Sequence, residues 1–332
     1  MAVARLRHAL MSIDVSVAMA PLARRTRSAT WDRWRLNHQR RRHGTYDAVL
    51  GVGGDGWRIA QALDVPFVAL AKALYSRALR WERGAAKVAL RLHAVWEGEG
   101  FRRADCVVAP SHDTALAIER DYRCDPKRIR VVPEPFDATE WSAMLPKHER
   151  RGNRVLCVAH LYPRKRVLDL ADAWPRVLSE RPDAHLDVVG DGPELGRLAR
   201  RVVDVPSIHL HGHVGHPDVL EFYARADAFV LPSAQETFGY SVVEALASGL
   251  PVVVGAAGAL PEIVEGAVAA LVTPGDVDAL ARAIVASTSD DARRRAVAAN
   301  PARAAAFGSA AVARTLVELI RGLPRPPVRV SA

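Results

Sequence analysis

The chain is poor in cysteine and in aromatic residues. It has three cysteines among 332 residues, Cys106, Cys124 and Cys157, and no Cys-x-x-Cys spacing. This pattern argues against a disulfide framework and fits packing residues in a reducing cytosol. Phe, Trp and Tyr make up only 6% of the residues and do not alternate with basic residues along a strand, which argues against nucleic-acid binding. We therefore expect a cytoplasmic location and no nucleic-acid partner.

Long apolar runs are also lacking. No run reaches the roughly 18 residues that would span a bilayer. The first twenty residues mix Arg and His with Ala, Leu and Val, and so lack the uninterrupted apolar core of a signal peptide. With 49% apolar and 25% charged residues, the composition is that of a globular protein long enough for two domains, each with its own core.

Positive charge is concentrated in the first half of the chain. Residues 1–150 hold 26 Lys and Arg against 17 Asp and Glu, whereas residues 151–332 hold 20 of each. One interpretation is a set of solvated faces in an arginine-rich sequence. The other is a basic surface that meets a polyanionic acceptor or the anionic inner face of the membrane, as a peripheral contact.

Strand-like apolar runs alternate with helix-like segments along most of the chain, which predicts an α/β protein with parallel sheets. In the first half we expect strands at Asp14–Ala20, Asp47–Val52 and Pro66–Ala71. The stretch at 138–152 is polar, contains a proline and shows no hydrophobic period. We interpret it as a linker between two doubly wound domains, whose ligands would bind at the carboxyl ends of the strands.

The densest chemical signal is SAQETFGYSVVEALASGLPVVV at residues 233–254. Glu236 precedes a predicted helix, Phe238 and Gly239 open it, and Glu244 follows two turns in. A helix that opens with small residues after a strand presents N–H groups to a phosphate or a sugar hydroxyl. The two carboxylates are suited to vicinal hydroxyls. The alternative interpretation is a helix cap and a surface charge.

This stretch matches the pattern E-x-F-G-x4-E-A-x-A-x-G-x-P-V at every position and resembles the retaining glycosyltransferases of family 4. VVGDGPE at 188–194 and EFYARADAFVLPS at 221–233 resemble neighbouring motifs of that family. The resemblance is strong over 154–287 and weak over 45–137. It implies the GT-B fold, an α/β architecture of two Rossmann-like domains facing across a cleft.

The resemblance divides the chain into five segments. They are an acceptor-side Rossmann-like domain at 1–137, the linker at 138–152, a nucleotide-sugar-binding Rossmann-like domain at 153–307, a C-terminal helix at 308–322 and a disordered tail at 323–332.

The resemblance also implies the roles of the main site residues. Lys165 and Glu236 are the catalytic pair: Lys165 neutralises the donor diphosphate as the sugar leaves, and Glu236 holds donor-sugar hydroxyls with the backbone amides of Phe238 and Gly239. Glu244 binds the ribose of the donor nucleotide. Stabilisation of the leaving charge is the main catalytic contribution in such a transfer. No Asp-x-Asp metal site is recognised in the sequence, so neither a metal nor another cofactor is expected.

The rest of the donor-binding set is His160, Arg164, Gly190 and Tyr240. His160 stands where the family usually has an arginine, which should weaken diphosphate binding unless Arg164 or Arg166 substitutes for it. This departure keeps a folded but inactive relative as an alternative to the enzyme.

The first half departs further from the family. Lys72 stands where many relatives carry a histidine, and it is interpreted either as a phosphate contact on the acceptor side or as a surface lysine. The amino end begins with a predicted helix, so the first domain lacks its usual opening strand. We take this as a truncated chain or a start codon that lies upstream.

The glycine-rich stretch GVGGDGW at 51–57 offers a competing signal. Its G-x-G-x-x-G spacing is that of a dinucleotide site, but the acidic residue expected about 20 positions later is missing. GGDG also resembles the phosphate loop of NAD and lipid kinases, yet Trp57 and Arg58 follow it where Thr or Ser is needed. A phosphotransferase is therefore the distant alternative. We interpret the stretch as a strand-end turn at which Asp55 and Trp57 line the acceptor pocket.

Overall fold

The structure is a computed structural model, and it describes residues 2–20, 35, 45–82, 84–150 and 152–324. Its contacts divide the chain into two compact units, the first formed by residues 1–135 and 309–332 and the second by residues 136–308. In the described ranges, no helix is long and apolar enough to cross a lipid bilayer.

Ten strands and fourteen α-helices are assigned within the described residues. The strands are β1 (Val49–Val52), β2 (Phe67–Leu70), β3 (Cys106–Ala109), β4 (Ile129–Val131), β5 (Arg154–Val158), β6 (His185–Val189), β7 (Ile208–Gly212), β8 (Ala228–Leu231), β9 (Val252–Gly255) and β10 (Ala269–Val272). The helices are α1 (Ala2–Met11), α2 (Trp57–Leu63), α3 (Tyr75–Ala78), α4 (Gly84–Arg103), α5 (His112–Tyr122), α6 (Ala138–Met144), α7 (Leu168–Glu180), α8 (Leu195–Arg201), α9 (His216–Arg225), α10 (Tyr240–Ala247), α11 (Leu260–Ile263), α12 (Val277–Ser287), α13 (Asp290–Ala305) and α14 (Ser309–Arg321).

The first unit is built on a four-stranded parallel sheet with the order β1-β2-β3-β4. Successive residues of β2 point to opposite faces: Phe67 and Ala69 join one buried cluster, and Val68 and Leu70 join another. Helices α4 and α5 cover the first face, while α1 and α14 cover the second. Because both faces are buried, the central strands β2 and β3 are apolar at every position rather than at alternate ones.

The amino end of the first unit differs from the sequence-based expectation. We expect a strand at Asp14–Ala20, but α1 ends in a turn in which Asp14 has a φ of 62°, and residues 15–20 form no strand. Val15 and Val17 pack against the same cluster as α1. Their alternate spacing therefore reflects packing of an extended segment, not pairing in the sheet.

The second unit contains a six-stranded parallel sheet with the order β10-β9-β8-β5-β6-β7. The chain runs outward from β5 through β6 to β7, then returns to the other side of β5 and continues through β8 to β10. This is the doubly wound order of a Rossmann-like domain, and the direction reverses between β5 and β8.

The stretch at 138–152 is not an extended linker in the structure. It contains α6, which Asp137 caps by accepting a 2.8 Å hydrogen bond from the Glu140 N–H, and Trp141 is buried in the core of the second unit. A seven-residue helix with a single buried tryptophan gives no repeating hydrophobic pattern, which is why the sequence does not reveal it. The predicted tail at 323–332 lies largely outside the described residues, which end at residue 324.

All three cysteines are buried and free. Burial raises the pKa of the Cys106 and Cys124 thiols to about 11 and that of Cys157 to about 12. These thiols are therefore neutral near pH 7, and neutral thiols are poor nucleophiles.

Candidate active site

The candidate donor site lies at the switch point of the second unit, where the loops that follow β5 and β8 meet. The Ala234 N–H donates a 2.8 Å hydrogen bond to the Arg164 carbonyl, and the Ser233 hydroxyl donates to the same carbonyl at 3.2 Å. Because β5 and β8 are neighbours in the sheet, these bonds hold side chains 71 residues apart in sequence, Lys165 and Glu236, at one place.

Lys165 and Glu236 form the centre of this site. The Lys165 ammonium contacts Glu236 Oε1, and the side chains are only 13% and 10% exposed. Lys165 ends a short 3₁₀ turn that begins at Pro163. The Glu236 carbonyl accepts a 3.1 Å hydrogen bond from the Ala259 N–H, which fixes its backbone. A largely buried cation and anion in contact suit a ligand that carries both phosphate oxygens and hydroxyl groups.

The start of α10 supplies backbone groups beside this pair. Gly239 has a φ of 99° and precedes the first helical residue, Tyr240. The Phe238 ring packs edge-on against the rings of Tyr240 and Phe307, at centroid distances of 5.1 and 5.2 Å. The Phe238 side chain therefore belongs to the core, and the expected contact of its backbone N–H with the donor sugar stays a prediction.

Glu244 lies in the second turn of α10 and is buried. Its Oε2 accepts a 3.0 Å hydrogen bond from the Tyr223 hydroxyl. The sequence places Glu244 in the site but gives no sign of this tyrosine partner, which belongs to α9, 21 residues earlier.

Gly190 brings the loop after β6 against the loop after β5. Its φ is 136°, and a Cβ there would lie 1.8 Å from the Ala159 carbonyl oxygen. Asp191 shapes the turn that follows, because its Oδ1 accepts a 2.6 Å hydrogen bond from the Gly192 N–H. Only glycine permits this approach of two backbones.

The basic residues next to Lys165 have different surroundings. His160 is exposed, whereas the Arg164 guanidinium lies over the Tyr162 ring at 4.7 Å. Arg166 forms two hydrogen bonds with the Asp169 carboxylate, at 2.6 and 3.0 Å. Of the two arginines considered as substitutes at the diphosphate, Arg166 is thus already occupied by a carboxylate, which leaves Arg164 as the better candidate.

The acceptor-side residues lie at the carboxyl edge of the first unit's sheet. Val52 pairs with Leu70 at the ends of β1 and β2, so Asp55 and Lys72 follow neighbouring strand ends. Lys72 is not a surface lysine, because its ammonium contacts the buried carboxylate of Glu134. The sequence does not predict this pair, whose members are 62 residues apart.

Trp57, the third acceptor-side residue, is covered by two cations. The guanidinium carbons of Arg58 and Arg103 lie 4.9 and 4.2 Å from its ring centroid. Such stacking of arginine on an aromatic face is favourable by about 0.5–1 kcal/mol at exposed sites.

The glycine-rich turn closes on the protein itself. A Cβ on Gly51 would lie 1.8 Å from the Asp55 carbonyl oxygen, and a Cβ on Gly54 would lie 2.6 Å from the Glu97 carbonyl oxygen in α4. Likewise, a Cβ on Gly100 would lie 2.1 Å from the Gly54 oxygen. The close backbone approaches that these glycines permit are therefore made by the turn itself at Gly51 and by helix α4 at Gly54. Neither approach supports the phosphate-loop interpretation.

Contrary to the sequence-based expectation, one Asp-x-Asp spacing does occur, at Asp276 and Asp278. Asp276 caps α12 by accepting a 2.8 Å hydrogen bond from the Ala279 N–H, and Asp278 contacts Arg176. Across the described ranges, no group of three or more His, Cys, Asp or Glu side chains is arranged to hold a metal ion. The expectation of metal-independent chemistry stays a prediction.

Two parallel-sheet α/β units, the second of them doubly wound, together with the switch-point site define a glycosyltransferase of the GT-B fold. The second half matches the model of the family described as "Glycosyl transferases group 1" over residues 152–290. The first half matches "Glycosyltransferase Family 4" over residues 6–140. The chain belongs to this glycosyltransferase family, as its motifs predict, and it is an enzyme that transfers a sugar from a nucleotide sugar.

Curated relatives and solved structures agree with this assignment. The glycogen synthase of Mycobacterium tuberculosis is 31% identical over 284 residues, which cover 82% of this chain and 68% of the relative. A GDP-mannose-dependent monoacylated phosphatidylinositol monomannoside mannosyltransferase of Corynebacterium glutamicum is 34% identical over 44% of this chain and 40% of its own length. The sucrose-phosphate synthase structure from Thermosynechococcus elongatus superposes with a TM-score of 0.67 at 24% identity, over 84% of this chain and 74% of that one. The predicted GT-B fold is thereby confirmed.

Proposed function

We propose that the enzyme transfers a sugar from a nucleoside-diphosphate sugar to an acceptor hydroxyl with retention of anomeric configuration and without a metal ion. The observation that carries the proposal is the contact between Lys165 and Glu236 at the switch point of a doubly wound sheet. That place is where ligands of open α/β sheets bind.

In this proposal the residues act by charge and position. Lys165, with Arg164 beside it, neutralises the diphosphate as the bond to the anomeric carbon breaks. Glu236 and the amides at Phe238 and Gly239 hold the sugar hydroxyls, and Glu244 binds the ribose. The acceptor hydroxyl attacks from the face that the leaving phosphate vacates, and a phosphate oxygen accepts its proton. No protein nucleophile is assigned.

The donor role is tested by nucleotide binding. UDP and GDP are each added to the wild-type protein, to Glu244→Ala and to the control Glu265→Ala, whose glutamate is exposed in the same unit. We expect one nucleotide to raise the melting temperature of the wild type and the control, and to have little effect on Glu244→Ala. A folded wild-type protein that responds to no nucleotide, and releases none from a panel of nucleotide sugars, would favour the inactive relative instead.

We further propose that the first unit contacts an anionic membrane surface through α4. Val88, Leu92 and Val95 are 59%, 51% and 63% exposed, and their spacing places them on one face of the helix. Lys87 and Arg91 flank this stripe. Apolar side chains bordered by cations are typical of helices that lie in the interface of an anionic leaflet. The Corynebacterium relative, whose name specifies a phosphatidylinositol monomannoside, supports a lipid acceptor.

Vesicle binding tests the membrane contact. We expect the protein to sediment with vesicles that contain an anionic phospholipid, and we expect added salt to weaken this binding, since each Lys or Arg near the surface contributes about 1 kcal/mol. Leu92→Glu should reduce binding several-fold, whereas Leu116→Glu, at an even more exposed leucine on α5, should not. Equal binding to neutral vesicles, unaffected by salt, would contradict the proposal.

A further inference from the structure

The environment of Glu244 contains two aromatic residues to which neither the motif nor the comparisons give a role. Tyr223, from α9, is fully buried, and its hydroxyl lies 3.0 Å from Glu244 Oε2 and 3.1 Å from the Ser241 carbonyl oxygen. A phenol has one hydrogen to donate, and a carboxylate is the stronger acceptor of the two. The buried tyrosine therefore fixes one oxygen of the glutamate.

Trp141 fixes the backbone of the same glutamate. Its indole N–H donates a 2.9 Å hydrogen bond to the Ser248 hydroxyl, which in turn donates at 2.8 Å to the Glu244 carbonyl. The Trp141 ring also packs edge-on against the Tyr223 ring at 5.3 Å and 82°. The two aromatic rings thus pack on each other. Tyr223 holds the Glu244 carboxylate, and Trp141 holds the Glu244 backbone carbonyl through Ser248.

Trp141 and Tyr223 come from distant parts of the chain. Trp141 belongs to α6, which precedes the first strand of the second unit, and Tyr223 lies on the helix that leads into β8. Helix α10 does not need these two contacts for its packing, because its apolar residues Val242, Val243 and Leu246 are themselves buried. A glutamate side chain is flexible, so a buried carboxylate stays in one rotamer only when such bonds hold it.

We propose that Tyr223 and Trp141 are positioning residues for Glu244. They hold its carboxylate in the orientation that binds the nucleotide ribose. Because this rotamer is already fixed in the folded protein, donor binding does not lose affinity to the entropic cost of ordering the side chain. This inference rests on the proposed ribose-binding role of Glu244. Neither aromatic side chain touches the donor in this proposal.

The test removes the hydroxyl and keeps the ring. In Tyr223→Phe we expect the dissociation constant of the bound nucleoside diphosphate, and the KM for the sugar donor, to rise about ten-fold, equivalent to about 1.4 kcal/mol. The kcat should change little, because the ribose contact is the same in the ground and transition states. Trp141→Phe, which loses the indole N–H, should shift KM in the same direction by a smaller factor.

Tyr122→Phe is the matched control. Tyr122 is likewise a buried tyrosine whose hydroxyl contacts a buried glutamate, Glu97, but in the first unit. A general cost of losing a tyrosine–glutamate hydrogen bond would lower the melting temperature of both variants. Only Tyr223→Phe should lose nucleotide affinity.

The outcomes separate this inference from the proposed function. If Glu244→Ala loses nucleotide binding while Tyr223→Phe binds as tightly as the wild type, the positioning role is overturned and the donor site stands. If Glu244→Ala itself binds nucleotide normally, the ribose role of Glu244 is wrong, and the positioning role falls with it.

Discussion

Replacing Lys165 by alanine should lower the kcat for sugar transfer by about 10²–10³-fold, the usual effect of removing one group that stabilises developing charge in a dry site. As the glycosidic bond breaks, negative charge grows on the diphosphate, and the Lys165 ammonium, only 13% exposed, is poorly screened by water. Initial rates with saturating donor measure this effect. Lys147→Ala is the control, because that lysine is exposed in the same unit.

The partner of Lys165 makes this prediction more specific. Because Lys165 contacts Glu236, removing the cation also leaves a buried carboxylate without its counter-ion, and the two residues should not act independently. The double variant Lys165→Ala/Glu236→Gln should therefore retain more activity than the product of the two single effects predicts. Full kcat in Lys165→Ala would contradict the catalytic role, and strict multiplication of the two effects would contradict the coupling.

The position of Glu236 before a helix and of Glu244 within it could be predicted because their motif is contiguous in the sequence, whereas their roles come from the family resemblance and stay predictions. Glu236 and Glu244 are separated by two helical turns, and the glycine and proline that follow them mark the end of the helix. The strand pattern then places both at the carboxyl edge of a parallel sheet, where ligands bind. Periodicity and turn chemistry are local properties, so they can be read from the sequence alone.

The partners of these residues could not be predicted, because each pairing depends on tertiary contacts. Glu134 meets Lys72 only because β4 and β2 end at the same edge of one sheet, with β3 between them. Trp141 meets Ser248 across 107 positions, and it lies in a stretch whose polar composition resembles a linker. In both cases the type of amino acid is compatible with many environments, and its partner is determined by the tertiary fold.

The glycine-rich turn was the most ambiguous feature of the sequence, and its contact with α4 yields a second large expected effect. A glycine-to-alanine change inside a helix usually stabilises a protein by about 0.5–1 kcal/mol. Gly100→Ala should instead reduce the free energy of unfolding of the first unit by about 3 kcal/mol or more. The new Cβ would lie 2.1 Å from the Gly54 oxygen and 2.2 Å from its Cα, and backbone atoms cannot swing away as a side chain can.

Gly196→Ala is the control for this effect, because it makes the same change in α8, where, among the described residues, the new Cβ would meet only the Arg200 guanidinium, at 3.8 Å. Denaturant unfolding followed by circular dichroism should show Gly196→Ala at or slightly above the wild-type midpoint and Gly100→Ala well below it. If Gly100→Ala has the same unfolding midpoint as the wild type, α4 does not lie against the turn. The backbone of GVGGDGW would then be open to a bound phosphate. The sign of one alanine substitution thus distinguishes a turn that packs on its own helix from a loop shaped for a ligand.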